Sequence, residues 1–278
     1  MASNTRHDGR QDHEFRTLNI SYDGLARVDG SARFGFGDTS ALASISGPIE
    51  VRLVAEQASQ ATFEVLLRPL SNVPATEAKA LGATIRSALA PSLILTKNPR
   101  TLVQLVVQSL SSKGDGTQRE ALTAAMINAS TLALLNAGSV PMRGVVCAIP
   151  VGRCTAGDRE TRLFVDPGET EISEIQGGGC FAFVFGDKLG WGDGDVECVW
   201  TNWKSTSGTF DENELSRARE LALKAARAVY AEIKRGVKTM GAVPFKFNEK
   251  RVKEDVKKGL EAELKTEEGS NDEKMEIS

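Results

Sequence analysis

Apolar residues alternate with small polar ones over Ala26–Phe34 and again over Ser40–Ser46. That two-residue period belongs to strands with one buried face. Gly35-Phe36-Gly37-Asp38 between the runs predicts a turn, so the stretch reads as a hairpin. Gly30 inside the first run predicts a bulge or a close backbone approach, and Gly47-Pro48 predicts the end of the second strand. Ile49–Val54 and Thr62–Leu67 predict a further strand pair, the latter alternating Phe63, Val65 and Leu67. A helix follows from Pro74 to about Ala90, with Thr76 as its cap, Leu81, Ile85 and Leu89 along one face, and Pro91 as its stop.

Thr101–Leu110 reads as a buried strand and Ser111–Gly116 as a polar turn. A long helix runs from Thr117 to Asn136, closed by Gly138 in a left-handed stop. It is rich in Ala and short polar residues, which suits tight packing between layers. Val145–Val151, Arg162–Val165, Cys180–Phe185 and Val196–Trp200 predict a second group of strands. The last helix, Asp211–Arg235, carries acids in its first turn, Lys234-Arg235 in its last, and an apolar stripe of Leu215, Ala218, Ala222, Ala225 and Val229. This order predicts an α/β (α+β) fold of mixed sheets packed with helices. Residues 1–16 read as a polar, disordered arm and 17–235 as one domain. Residues 236–278 read as a charged extension, partly helical or disordered; Val252, Val256, Leu260 and Leu264 recur every four residues there, as on a helix that docks on a partner.

The chain has 278 residues, 41% of them apolar, enough to bury a sizeable core. It holds no run approaching the ~20 apolar residues of a bilayer span. Its start is polar and lacks a signal peptide's apolar core, so the reading is a soluble, intracellular protein without a membrane. Cys147, Cys154, Cys180 and Cys198 show no close metal-type pair and read as buried free thiols. The net charge is −3, without the basic excess that phosphate neutralisation gives a lone nucleic-acid binder. The two histidines, His7 and His13, both lie in the arm. Histidine-based catalysis or metal binding in the core is therefore excluded unless the arm folds in.

Asp29-Gly-Ser-Ala-Arg33, Gly37-Asp-Thr-Ser40 and Ser46-Gly-Pro-Ile-Glu50 resemble the entry segment of the RNase PH family. Pro69-Leu-Ser71, Asn98-Pro-Arg-Thr101, Ile127-Asn-Ala-Ser-Thr-Leu-Ala-Leu134, Asn136-Ala-Gly138, Val140-Pro-Met-Arg143 and Leu163-Phe-Val-Asp-Pro167 continue it in the family's order. The resemblance spans Thr17 to Arg235. It is greatest to the RNase PH-like ring subunits of the eukaryotic RNA exosome. It implies the RNase PH fold, of the ribosomal protein S5 domain 2-like type.

Phosphorolytic members of this family need an anion site at a helix N-terminus with an arginine. They also need a pair of acids for metal binding and proton handling. Counting from Asn128, the family's arginine falls at Thr123, with Glu120 and Ala121 near the positions of its glycines. Gly114-Asp-Gly-Thr117 resembles the anion loop but lies about six residues early, leaving Arg119 as a possible anion contact. Counting from Phe183, the two acids fall at Glu174 and Cys180, and a neutral thiol is a poor magnesium ligand. Gly177-Gly-Gly179 before it predicts a loose turn, and Gly190-Trp-Gly-Asp-Gly a hairpin turn. Asp193, Asp195 and Glu197 alternate, as on one side of a strand. There is no nucleotide-binding glycine loop. Arg27, Arg33, Arg52, Arg68 and Arg100 read as strand-edge residues, with Arg100 the first choice for RNA contact. Trp191, Trp200 and Trp203 read as core or interface residues, with base stacking the alternative.

The resemblance thus implies a non-catalytic structural subunit, with degenerate positions Thr123, Glu174 and Cys180 and no metal or cofactor. Its partners would be other RNase PH-like exosome subunits in a hetero-hexameric ring, cap proteins and a separate hydrolytic nuclease. Single-stranded RNA would pass through the channel, in nucleus, nucleolus and cytoplasm. Two alternatives stand beside this reading. One is an active phosphate-dependent 3′–5′ exoribonuclease using Arg119, Glu174 and either Asp187 or Asp193. The other is a stand-alone homodimeric RNA-binding module.

Overall fold

The computed structural model describes residues 6, 8–22, 24–70, 73, 75–111, 117–156, 160–186 and 196–240. In chain order the strands are β1 (Leu18–Ser21), β2 (Gly30–Phe36), β3 (Thr39–Glu50), β4 (Thr62–Arg68), β5 (Thr101–Ser109), β6 (Val145–Ala156), β7 (Glu160–Val165), β8 (Gly177–Phe185), β9 (Val196–Thr201) and β10 (Lys204–Ser205). The helices are α1 (Thr76–Leu89), α2 (Thr117–Ala137) and α3 (Glu212–Met240). The α/β reading holds, with one mixed and one antiparallel sheet and helices between and outside them.

The first sheet runs β1-β2-β3-β5-β4, antiparallel except that β4 lies parallel to β5. A parallel neighbour needs a crossover, and α1 supplies it. The expected pairing of Ile49–Val54 with Thr62–Leu67 is therefore corrected. Ile49 and Glu50 finish β3, and Leu53–Ala55 forms a 3-10 turn instead of a strand. Gly47-Pro48 also does not stop β3. Proline lacks the N–H a ladder needs, so the β3–β5 register shifts between Ser46 and Ile49 and the strand resumes beyond it. The hairpin turn shrinks to Gly37-Asp38, with Gly37 at φ +54°, while Gly35 and Phe36 stay in β2. Ala75, without a side-chain cap, opens α1; Thr76 is its first helical residue.

α2 is buried at every position from Glu120 to Leu134. It packs on β2 and β3 of one sheet and on β6 and β8 of the other. Gly30 is the close approach expected of it. A Cβ there would lie 2.4 Å from the Ala137 nitrogen and 2.5 Å from the Ala133 oxygen. Gly138, at φ +62°, ends the helix and donates its N–H to the Leu134 carbonyl at 3.2 Å.

The second sheet runs β10-β8-β6-β7, with β9 also on β8. Among the described residues, β7 pairs with Val151–Ala156 of β6 and stops short of Ala148, which leaves that edge of Ala148 without a strand. Asn128 of α2 closes it. Its Nδ2 donates to the Ala148 carbonyl at 2.9 Å, and its Oδ1 accepts the Ala148 N–H at 2.7 Å. β8 is buried at every position because both its faces are covered. Phe185 stacks on Tyr230 of α3 at 4.6 Å, while Cys180, on the opposite face, lies near Glu120 of α2. The layers are sheet, α1 and α2, sheet, α3.

The arm departs furthest from expectation. Its described residues are held against the domain by charge, not disordered. Arg6 is buried; its Nε donates to Glu171 at 2.6 Å, its Nη2 also bonds that carboxylate, and its Nη1 donates to the Val165 carbonyl at 2.6 Å. Arg16 grips the buried Asp166 through Nε and Nη2 at 2.9 and 2.7 Å. Asp12 accepts from Arg162 of β7 at 2.6 Å. A run of alternating charge looks solvated in sequence, but here Arg6, Asp12 and Arg16 each meet an opposite charge contributed some 150 residues away. His13 is nonetheless exposed, and His7 lies outside the described residues. At the other end, α3 continues to Met240, past the expected Arg235; residues 241–278, with the apolar repeat from Val252, lie outside the described residues.

Candidate functional site

The first turn of α2 faces the start of β8 and the segment joining β9 to β10. Gly177, Gly178 and Gly179 form no loose turn, contrary to the sequence reading; they begin β8. Their bareness has a local cause. A Cβ on Gly177 would lie 2.7 Å from the Lys204 oxygen, and one on Gly179 would lie 2.8 Å from the Asn202 oxygen. The glycines let the 202–205 backbone lie directly on β8, and so bring Asn202 and Lys204 to α2.

Asn202 then bonds in two directions. Its Nδ2 donates to Glu120 Oε2 at 2.6 Å, and its Oδ1 accepts the backbone N–H of Cys180 at 2.7 Å. Lys204 Nζ reaches Glu120 Oε1 at 3.5 Å. Glu120 is buried, so these donors meet the need of a carboxylate withdrawn from water. Burial, and after it the Glu120 charge nearby, push the Cys180 thiol well above its ordinary pKa. Cys180, where the sequence resemblance expects a metal-binding acid, is thus a neutral, dry sulfur beside a carboxylate already engaged by protein donors.

The other sequence-predicted residues do not converge on this cluster. Thr123 is buried, and its hydroxyl donates to the Arg119 carbonyl of its own helix at 2.8 Å. The Arg119 side chain is half-exposed and pairs with Glu77 of α1 at 3.1 Å. Glu174 is exposed at the end of the 3-10 segment Glu169–Glu174, and its charge is felt by Cys154. Arg100 adopts φ +59° and donates its N–H to the Gln57 carbonyl at 3.1 Å. Its side chain is 71% exposed, 3.5 Å from Glu56, and remains open to an outside contact. Gly114–Gly116, Asp187, Asp193, Asp195 and Trp191 lie outside the described residues.

Among the described residues, no three metal-ligating carboxylate, thiol or imidazole groups come together. Trp200 and Trp203 pack against the core, Trp203 on Phe181 at 5.8 Å. Sequence reasoning missed Asn202 and Lys204, and with them the role of Glu120. The signal was the glycine triplet, whose missing side chains mark a neighbouring backbone that lies unusually close.

The profile of the RNase PH family, described as the 3′ exoribonuclease family, domain 1, matches residues 14–139. The exosome complex component rrp46 of Schizosaccharomyces pombe is 36% identical over 125 residues, which are 45% of this chain and 53% of that protein. The match thus spans about half of that relative's length. The human exosome complex component RRP41 is 31% identical over 247 residues, 84% of this chain and 90% of that protein. Saccharomyces cerevisiae RRP46 is 30% identical over 217 residues, 76% and 91% of the two. Among solved structures, rice Rrp46 superposes with a TM-score of 0.68 at 23% identity, covering 84% of this chain and all of that one. The Archaeoglobus fulgidus exosome with RNA bound to its active site gives 0.63 at 18% identity, covering 82% and 92%. These two likenesses establish the RNase PH fold.

Proposed function

The chain belongs to the RNase PH family of 3′ exoribonucleases, and from this we propose that it serves as a non-catalytic structural subunit of the RNA exosome core ring. Its sheets and helices complete the surfaces of neighbouring RNase PH-like subunits. Cap proteins sit above the ring and a separate hydrolytic nuclease lies below it. RNA passes through a channel to which six subunits contribute. With a net charge of −3, this chain adds little of the positive surface that RNA affinity requires, and the ring pools arginines from its members.

One observation carries the non-catalytic reading. Glu120 holds a carboxylate in the first turn of α2, with Asn202 and Lys204 spent on it. A phosphate brought there would meet a like charge in a poorly hydrated site, where repulsion is strongest. Thr123 and Cys180 supply neither a guanidinium nor an oxygen anion in compensation. The relatives named for the exosome support the ring assignment.

The test has two parts. Purified chain, given magnesium, inorganic phosphate and single-stranded RNA, releases no nucleoside diphosphates. Isolated from cells, it carries other RNase PH-like proteins in equal amounts. Phosphate-dependent release of diphosphates would overturn the first half of the proposal, and recovery as a lone homodimer the second.

A further inference from the structure

A groove of about 1050 Å³ follows β4. Five consecutive strand residues, Thr62–Leu66, line it. Successive side chains point to opposite faces of a sheet, so five in a row border one groove only where it runs along the strand's edge. β4 is the last strand of its sheet, and alternate N–H and C=O groups of its outer side point into that space.

One wall is α1. It presents Lys79, Gly82, Ala83 and Arg86, a spacing that forms a single helical stripe. The two central residues are small and let the helix lie close on β4; a Cβ on Gly82 would meet the Val65 carbonyl oxygen at 3.2 Å. The two outer residues are cations about 10 Å apart along the axis. Both are exposed, and neither pairs with a carboxylate among the described residues. Across the groove stand Val54, wholly exposed, and the exposed Leu66. Of the carboxylates there, Glu56 lies beside Arg100 and Glu64 accepts from Gln104 at 2.9 Å; Glu50 also lines the groove, and Arg52 adds a third cation.

We propose that the β4 edge accepts an added strand from a protein partner, an extended segment that alternates acidic and apolar residues. Its backbone would continue the sheet, the recurring mode of strand addition. Residues two apart on one face of a strand are about 6.6 Å apart. Acids at every second position therefore bring carboxylates to Lys79 and Arg86 on the helix side. The apolar residues between them turn to the outer face and cover Leu66 and Val54. The open edge provides the backbone bonds, and the two cations select the sign of the partner. This surface goes beyond the ring assignment and does not rest on it.

The test uses the full chain and a fluorescent capped peptide of alternating Asp and Val. A peptide of the same composition arranged in blocks and an alternating Lys-Val peptide are the controls. Anisotropy should show the Asp-Val peptide binding about ten-fold or more tighter than either control. Hydrogen exchange should slow at 62–68 with that peptide alone. Lys79 and Arg86 are surface residues, so the double variant Lys79→Glu, Arg86→Glu should retain its circular dichroism. It should lose about ten-fold of the Asp-Val affinity and favour the Lys-Val peptide. Equal binding of all three peptides, no binding, slowing elsewhere in the chain, or indifference to the charge reversal would each overturn the proposal.

Discussion

Asn202 and Glu120, 82 residues apart in sequence, are joined by a hydrogen bond of 2.6 Å. The same amide accepts the Cys180 N–H, so one side chain ties α2, β8 and the β9–β10 join together. Among the described residues, the Glu120 carboxylate there is met by protein donors.

Replacing Asn202 by Ala strands a buried carboxylate and a buried N–H together. The expected cost is about 2–4 kcal/mol, seen as a melting temperature lower by roughly 5–12 °C. Asn202→Asp should cost more at neutral pH, because it sets one carboxylate against another. Thermal melts of the two variants check this, and an alanine variant that melts with the wild type would refute it.

Arg6 and Glu171 predict an acid-sensitive arm. Burial by itself would raise the Glu171 pKa. The Arg6 hydrogen bonds, the Gly168 N–H and the Arg6 charge outweigh burial and hold it below the ordinary carboxylate value. A carboxyl depressed in the fold contributes its full stability above its unfolded pKa and loses it as pH falls through the folded one. Stability should thus be level in this respect above about pH 5 and decline below the usual glutamate range. Arg6→Ala should cost about 3 kcal/mol, the low end for breaking a buried pair, since Arg10 remains 3.8 Å from Glu171. Denaturant titrations from pH 3 to pH 7 should show the variant's acid decline shallower than the wild type's.

Gly30→Ala tests the seating of α2 on the first sheet. The new methyl would meet backbone atoms at 2.4–2.5 Å, and backbone cannot rotate aside as a side chain can. Overpacking of this kind costs about 1–3 kcal/mol or more. Chemical denaturation would read it, and a change within ±0.5 kcal/mol, the usual surface range, would mean that the helix is not pinned there.

The thiols should be unreactive in the fold. Burial raises all four cysteine pKa values and keeps Cys147 and Cys180 fully enclosed. Alkylation at pH 8 should begin at the partly exposed Cys154 and Cys198 and reach the other two only on unfolding. Peptide mapping of a brief iodoacetamide pulse resolves the order. Early labelling of Cys180 would contradict the closed site.

The sequence shows the elements better than it shows their neighbours. Phe63, Val65 and Leu67 mark β4 by period alone, but nothing local says that it pairs with β5 across a helix. The four residues of β1 alternate too briefly to stand out from the polar arm beside them. Arg6, Arg10 and Arg16 look like solvated charge until Asp166 and Glu171 arrive from far along the chain. The candidate site was half legible. Counting from the family motifs points to Cys180 and Thr123 by position, whereas Asn202 has no motif and is found only because the glycines of β8 let its backbone lie close.

Because α2 is dry on every side, it belongs to both sheets at once and to neither alone. A protease nick or a recombination crossover between Gly138 and Val145 would therefore not separate two modules. The front piece would keep a helix with half its circumference newly wet, and the rear piece would lose the wall its sheet was built on. The two halves share one folding fate, and calorimetry should record a single transition for both.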